Sequence, residues 1–237
     1  MQLSKRLNAV AELVTPGNRV ADIGCDHAYT SIYLAENEIS PHIIAMDVNQ
    51  GPIDRATENI IRYGYRDRIE TRKSDGLQKL SPGEADTVLI AGMGGALAIE
   101  ILMQKPEVLK ELRELVLQPQ SELTKVRQML SEQNFLIIKE NMVKEDGKFY
   151  IMLKAVHNAT ISDPEKYRLV KEEHFSYGRL LLEQKHSVLF EFLEWEYRLN
   201  EGILDTLHSE QTENAKSRQI EIENKMKLIQ LGLEYFK

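Results

Sequence analysis

The fold is indicated by residues 20–29, which read VADIGCDHAY. A short apolar stretch, predicted to be a buried strand, ends at Gly24, and a helix is predicted to begin near Thr30. In doubly wound sheets, a turn of this kind between the first strand and its helix is where nucleotide-type cofactors bind. The surrounding sequence should therefore contain further strands of a parallel sheet.

Short apolar runs rich in β-branched residues recur along the chain after this stretch. Each of the first five is followed by a segment with helical character, and this alternation predicts a parallel, doubly wound sheet. The last two are joined by residues 144–148, where Gly147 indicates a hairpin turn. We therefore expect a mostly parallel α/β sheet of seven strands, with five strand–helix units and a final antiparallel pair, at 19–23, 43–47, 69–73, 87–91, 114–117, 135–143 and 149–156.

The pattern changes after His157. Residues 158–164 have the composition of a linker and helix start, and the sequence beyond them is helical in periodicity. We predict a sheet domain at 1–157 and an antiparallel, coiled-coil-like helical domain at 158–237. Apolar residues spaced by three and four predict the core seams of two of these helices, at Val188, Phe192, Trp195 and Leu199, and at Ile222, Met226, Ile229, Leu233 and Phe236.

Composition narrows the class of protein. The formal charge of −7 argues against a generic polyanion binder, although a local basic face remains possible. A single cysteine excludes an internal disulfide and a cysteine-based zinc cluster, and it is typical of a reducing compartment. The sequence has no apolar run of the roughly 18 residues that a membrane span needs. We expect a cytoplasmic protein with no metal and no membrane partner.

The first loop departs from a dinucleotide-binding fingerprint. Asp26 and Tyr29 stand where that fingerprint has its second and third glycines, and a carboxylate there would repel a pyrophosphate. This disfavours an NAD dehydrogenase. S-adenosylmethionine carries a sulfonium and an ammonium and no phosphate, so Asp22 and Asp26 suit it better. The alternative is that Asp26 only caps the next helix.

Three other strand ends fit the same cofactor. Asp47 follows Gly24 at a distance suited to an acid that binds ribose hydroxyls. Asp75 could accept from an adenine amine, or could belong to an ordinary Asp-Gly turn. Glycines at 92, 94 and 95 would let the backbone approach a ligand, and no residues follow in the order of a phosphate-binding loop.

Taken together, these motifs make the chain resemble the bacterial tRNA adenine-N1 methyltransferases that modify adenine 22. The resemblance rests on LSKRL at 3–7, ADIGCDHAY at 21–29, GEAD at 83–86, IAGMGG at 90–95, LQPQ at 117–120 and EDGKFY at 145–150. Cys25 stands where a serine is usual, and Asp47 where the family also uses glutamate. The resemblance implies a Rossmann-like class I methyltransferase domain, a helical C-terminal domain, S-adenosylmethionine as cofactor and tRNA as partner.

Roles for site residues follow as expectations. N1 of adenine needs alignment with the methyl group and stabilisation of the charge that builds on the ring. We expect Asp26 to accept from the exocyclic amine and Tyr29 to stack on or hydrogen-bond the base; alternatively, Asp26 holds the cofactor. The absence of an Asn/Asp-Pro-Pro-Tyr motif after the fourth strand disfavours methylation of the amine. The cofactor is expected to contact Asp22, Gly24, His27, Asp47, Val48, Ser74, Asp75, Gly76, Gly92 and Met93.

The tRNA would bind a local basic face. The expected contacts are Lys5, Arg6, Arg55, Arg62 and Arg66, although arginines on an exposed helix can also be merely solubilising. The helical tail could grip tRNA, dimerise or brace the domain, and we expect a monomer. Two other functions stay open from the sequence: methylation of a small molecule, and a degenerate cofactor fold that serves as an interaction scaffold.

Overall fold

The computed structural model describes residues 1–207 and 212–237 and divides into two compact units, Met1–Arg168 and Leu169–Lys237. The predicted boundary after residue 157 coincides with the end of the last strand. Residues 158–168, which form two short 3₁₀ turns, belong with the first unit. The domain limits 1–157 and 158–237 stay a prediction.

The first unit alternates strands and helices as the sequence predicts. A short helix precedes the first strand, and its N-cap Ser4 accepts from the Leu7 backbone N–H. The elements are α1 Lys5–Ala11, β1 Val20–Ile23, α2 Tyr29–Glu36, β2 Ile43–Asp47, α3 Gln50–Tyr63, β3 Ile69–Lys73, β4 Thr87–Met93, α4 Gly95–Met103, α5 Pro106–Leu109, β5 Glu114–Pro119, α6 Leu123–Glu132, β6 Phe135–Glu145 and β7 Lys148–His157.

The described residues form a seven-stranded sheet in the order β3-β2-β1-β4-β5-β7-β6. Strands β1 to β5 pair in parallel, and β7 pairs antiparallel with both β5 and β6. The predicted hairpin is confirmed, with Asp146 and Gly147 between β6 and β7. The central strands are buried along their length, as expected for parallel strands covered on both faces.

One strand–helix unit of the prediction is wrong. Within the described chain, β3 leads to β4 through residues 74–86, which form a loop of turns rather than a helix. The sequence Ser81-Pro82-Gly83 explains this, because proline and glycine both interrupt helices. The loop is held instead by Arg72, whose guanidinium pairs with Glu84 at 2.6 Å and donates to the Lys79 carbonyl.

Two buried ion pairs stabilise this unit away from the carboxyl ends of the parallel strands. Arg127 of α6 pairs with Glu140 of β6 at 2.9 Å, and both side chains are almost fully excluded from solvent. Lys154 of β7 pairs with Glu114 of β5 at 2.7 Å, and Glu114 also accepts from Thr15. Removing one partner of such a pair leaves a buried charge uncompensated.

The second unit is helical. Its elements are a π-helical turn His174–Gly178, α7 Arg179–Glu183, α8 Ser187–Leu207 and α9 Glu213–Glu234. The predicted seam of α9 is confirmed at its centre, where Ile222 and Ile229 are buried.

The predicted seam of α8 is wrong by one residue. The buried face is formed by Leu189, Leu193, Glu196 and Asn200, whereas Trp195 is 50% exposed. Hydrophobicity favoured the aromatic stripe, but both buried polar side chains have partners: Asn200 donates to the Glu196 carbonyl within α8, and Glu196 binds residues on other helices. Glu196 accepts from the Tyr177 hydroxyl at 3.2 Å and pairs with Lys225 at 2.8 Å.

Across the two described stretches of chain, no helix combines the length and the apolar character that crossing a membrane requires.

Candidate active site

The register of the parallel strands brings the predicted site residues to one edge of the sheet. Ile23 pairs with Met46 on one side and Ile90 on the other, so the carboxyl ends of β1, β2 and β4 lie next to one another at the same edge. Asp47 pairs with Lys73, which places the loop after β3 beside the end of β2. The carboxyl edge of a parallel sheet is where doubly wound folds bind ligands.

Gly24 makes the turn at the end of β1. Its φ of +78° lies in the left-handed region, and its backbone N–H donates to the Met46 carbonyl at 2.8 Å. A Cβ at this position would lie 2.2 Å from Cε of Met93, so the two strand ends approach closely. The absence of a side chain at Gly24 therefore lets the Met93 side chain pack directly against the end of β1.

Asp22 lies beneath this turn and is 4% exposed. Its Oδ2 accepts from the Ser31 hydroxyl of α2 at 2.6 Å. Burial raises the pKa of Asp22 to about 6, the hydrogen bonds from Ser31 oppose this rise, and the charge of Asp47 adds to it. A cationic ligand would stabilise the ionised carboxylate here. Ser31 was not predicted from the sequence, where nothing but its place on α2 distinguishes it.

Cys25 is buried in the same turn. Burial is the main reason that the pKa of its thiol lies far above the ordinary value, and the nearby carboxylates of Asp22 and Asp47 raise it further. Because the thiolate is the nucleophilic form, this raised pKa disfavours a nucleophilic role for Cys25.

Asp26 lies on the exposed side of the loop, with φ of +41° and a side chain that is 55% exposed. Its Oδ1 accepts from Nη2 of Arg55 on α3 at 2.5 Å, and its Oδ2 lies 3.7 Å from Nε2 of His27. The alternative that Asp26 caps α2 is wrong. The N-cap is Ala28, and no side chain in the described structure caps the helix.

His27 and Tyr29 form an aromatic pair beside Asp26. Their ring centroids are 5.2 Å apart and the rings are nearly parallel, at 7°. Asn59 of α3 donates to the His27 carbonyl at 3.0 Å and holds the loop. Tyr29 is 40% exposed, so its ring remains accessible to a stacking partner. Asn59 was missed from the sequence, because its partner is a backbone atom 32 residues away.

The residues expected to hold the adenosine part of a cofactor lie at the ends of β2 and β3. Asp47 accepts from the Asn49 backbone N–H through Oδ1, and Val48 is 51% exposed. Asp75 is exposed in the loop after β3. Ser74 is buried, donates to the Gly76 carbonyl and accepts from the Lys79 N–H, so it shapes this loop from within.

The end of β4 contains a β-bulge. Ala91 pairs with Gln118 and Met93 with Pro119, so Gly92 is an extra residue between them, with φ of +81°. The Gly92 N–H donates to Oε1 of Gln118 at 3.1 Å. Bulges of this kind re-aim the chain and are frequent beside active sites. Gln118 belongs to the quoted LQPQ motif, but the sequence indicated no role for it.

A cavity of about 220 Å³ opens beside these residues. It brings together Asp22, Gly24, Asp26, His27 and Tyr29, and it also includes Arg6, which was assigned to tRNA from the sequence. The full lining is Arg6, Leu7, Asp22, Gly24, Cys25, Asp26, His27, Tyr29, Thr30 and Ala91.

The basic residues assigned to tRNA lie in different settings. Arg6 lines the cavity, whereas Lys5 is exposed at the start of α1. Arg55 is engaged with Asp26 at the edge of the site. Arg62 near the end of α3 and Arg66 just beyond it are exposed, and neither makes a side-chain ion pair within the part of the chain that the structure describes.

Among the described residues, no group of three or more histidine, cysteine, aspartate or glutamate side chains is arranged to hold a metal ion.

Comparison with known proteins identifies the family. Residues 3–153 match a family model described as a methyltransferase domain. The chain is 32% identical over 236 residues to the tRNA (adenine(22)-N(1))-methyltransferase of Bacillus subtilis, covering 99% of this chain and 98% of the relative.

Solved structures of related proteins have the same fold over nearly the whole chain. The crystal structure of the Bacillus subtilis m1A22 tRNA methyltransferase TrmK superposes with a TM-score of 0.85 at 31% identity, covering 98% of this chain and 99% of that one. A Streptococcus pneumoniae putative tRNA (m1A22) methyltransferase in complex with S-adenosyl-L-methionine also gives 0.85, at 27% identity, covering 98% and 100%. The chain therefore belongs to the family of bacterial tRNA (adenine-22-N1)-methyltransferases.

Proposed function

We propose that the protein transfers a methyl group from S-adenosyl-L-methionine to N1 of adenine 22 in tRNA. The observation that carries this proposal is the match to the Bacillus subtilis enzyme, which extends over both the sheet unit and the helical unit. The converging strand ends support it, because they collect carboxylates and glycine turns where a cationic, phosphate-free cofactor would bind.

The residues of the sheet edge fit this cofactor. S-adenosyl-L-methionine supplies an electrophilic methyl group. Gly24 forms the left-handed turn at the end of β1, and Asp22 supplies a buried carboxylate for the cationic part. Asp47 would bind the ribose and Asp75 the adenine amine. The further contacts in this proposal are His27, Val48, Ser74, Gly76, Gly92 and Met93, with Ser74 acting through the shape of its loop.

Asp26 and Tyr29 are the proposed residues for the target base. Arg55 occupies Oδ1 of Asp26, and Oδ2 has no hydrogen bond to another described residue, so it remains available to the exocyclic amine of adenine. A carboxylate there stabilises the positive charge that develops on the ring during methylation. The exposed ring of Tyr29, stacked with His27, offers a surface for the base.

The tRNA body would bind through basic residues around the site. Arg62 and Arg66 are exposed on the α3 side, and Lys5 and Arg6 lie at the start of the chain. Arg55 would add a further positive charge to this face while it remains paired with Asp26. We further propose that the protein acts as a monomer in the cytoplasm, where its tRNA substrate is found.

The test is transfer of labelled methyl groups to an unmodified tRNA transcript that carries adenine at position 22. The matched control is the same transcript with guanine at that position. Label in the first and background in the second is the expected result. Equal labelling of both would contradict the assigned position, and labelling of neither would favour a small-molecule substrate or a non-enzymatic scaffold.

A further inference from the structure

We propose that Gln118 is a positioning residue that holds Arg6 in the active-site cavity as a seat for an anionic oxygen group. This inference rests on the proposed methyl transfer. Gln118 itself is 1% exposed and does not line the cavity. It acts through its side-chain oxygen, which connects α1, the bulge of β4 and strand β5.

The side-chain oxygen of Gln118 receives two donors. Nη1 of Arg6 donates to Oε1 at 2.7 Å, and the backbone N–H of Gly92 donates to the same atom at 3.1 Å. A carbonyl oxygen has two lone pairs, so both are used. The bulge removes Gly92 from the regular ladder, and Gln118 thus fixes both the arginine and the end of β4 from one buried point.

A second contact restricts Arg6 further. Its guanidinium carbon lies 5.5 Å from the centre of the Tyr150 ring, within the range of a cation–π interaction. The other N–H groups of the guanidinium have no protein partner among the described residues, and Arg6 lines the cavity. The guanidinium of Arg6, held by Gln118 and Tyr150, therefore has unused N–H donors for a ligand in the cavity.

The chemistry of this seat points to a carboxylate or a phosphate. Arginine offers donors in a fork that matches either group. Arg6 is the one lysine or arginine among the described residues that line the cavity, and the acids Asp22 and Asp26 belong to the same lining. The two sources of such an anion are the carboxylate of the cofactor's methionine part and a phosphate beside the target adenine of tRNA.

The test compares the parent with Gln118→Leu, Gln118→Glu, Arg6→Ala and the double variant Arg6→Ala/Gln118→Leu. Loss of the hydrogen bond that orients a charged group should lower kcat/KM by about tenfold or more in Gln118→Leu. Gln118→Glu keeps an acceptor oxygen and should stay within a few-fold of the parent. If Gln118 acts through Arg6, the double variant should lose no more than Arg6→Ala alone.

Two binding measurements distinguish the sources of the anion. Calorimetry with S-adenosylhomocysteine detects a seat for the cofactor's carboxylate, and binding of labelled tRNA in the presence of that product detects a seat for phosphate. Weaker binding in one arm, shared by Gln118→Leu and Arg6→Ala, supports the proposal and names the source. Asn18→Ala is the control, because it removes a buried hydrogen bond to Thr87 at the opposite edge of the sheet.

Either of two results would overturn the proposal: unchanged kinetics and binding in Arg6→Ala, or additive losses in the double variant. If Gln118→Leu does not fold, the kinetics and binding of Arg6→Ala and Gln118→Glu still test the proposal. An inactive parent would instead contradict the proposed function, so failures of the two proposals are separable.

Discussion

Replacing Asp22 by asparagine should stabilise the cofactor-free protein above pH 7 and weaken cofactor binding. Asp22 is 4% exposed at the end of β1, and Ser31 donates to it. Burial raises its pKa from the ordinary 3.8 to about 6. Its charge is therefore unfavourable in the folded chain, and the residue is retained at the expense of stability.

The size of the expected stabilisation follows from the raised pKa of Asp22. A rise from 3.8 to about 6 is about two units, and each unit corresponds to about 1.4 kcal/mol. Ionised Asp22 thus costs the folded state up to about 3 kcal/mol. The folded protein binds the proton more tightly than the unfolded chain, so the parent's free energy of unfolding falls as pH rises from about 4 through about 6, and then levels off.

Urea denaturation of the cofactor-free protein at several pH values between 5 and 8 measures this pH dependence of the free energy of unfolding. The Asp22→Asn variant lacks the titrating group, so its free energy of unfolding relative to the parent should increase across that range and become constant above pH 7. The matched control is Asp67→Asn, which removes an exposed carboxylate and should differ little from the parent throughout. In calorimetry at pH 8, Asp22→Asn should bind S-adenosylhomocysteine about tenfold more weakly than the parent does.

A difference between Asp22→Asn and the parent that does not change with pH would refute the argument from burial. Cofactor-product affinity equal to that of the parent would refute the pairing of Asp22 with a cationic group of the ligand.

Four further outcomes are expected. Asp26→Asn should lower kcat by about 10²-fold with product affinity retained, measured by steady-state kinetics and calorimetry; an unchanged kcat would exclude the proposed role. Affinity for tRNA, followed by fluorescence anisotropy, should fall steeply between about 50 and 200 mM salt, and a flat profile would contradict phosphate contacts. Arg127→Ala should lower the free energy of unfolding by about 3 to 5 kcal/mol because it leaves Glu140 buried without its partner; in urea denaturation, a loss below about 1 kcal/mol would contradict this. Cys25 should react slowly with thiol reagents in the native protein and rapidly in urea, and equal rates would show that the thiol is accessible.

The parallel sheet was predictable because each central strand is a short apolar run that ends in a turn residue. Gly24, Asp47 and Asp75 could be assigned to one edge from sequence, since parallel strands end on the same side of a sheet. The connection from β3 to β4 was predicted wrongly as a helix, because the breakers Pro82 and Gly83 were given too little weight.

Features that depend on distant partners were not predictable. The α8 seam shifted by one residue because Glu196 is satisfied by Tyr177 and Lys225, and hydrophobicity does not register such partners. The link from Gln118 to Arg6 spans 112 residues, and its geometry depends on a bulge in β4. Periodicity describes one element at a time, so it does not report contacts of this kind.

The most direct test of the proposed activity is the identity of the methylated nucleoside. The protein is incubated with S-adenosyl-L-methionine and an unmodified tRNA that carries adenine 22, and the RNA is digested to nucleosides and analysed by mass spectrometry with chromatographic standards. The account predicts 1-methyladenosine, with none formed when position 22 is guanine. N6-methyladenosine, or no methylated adenosine at all, would contradict it.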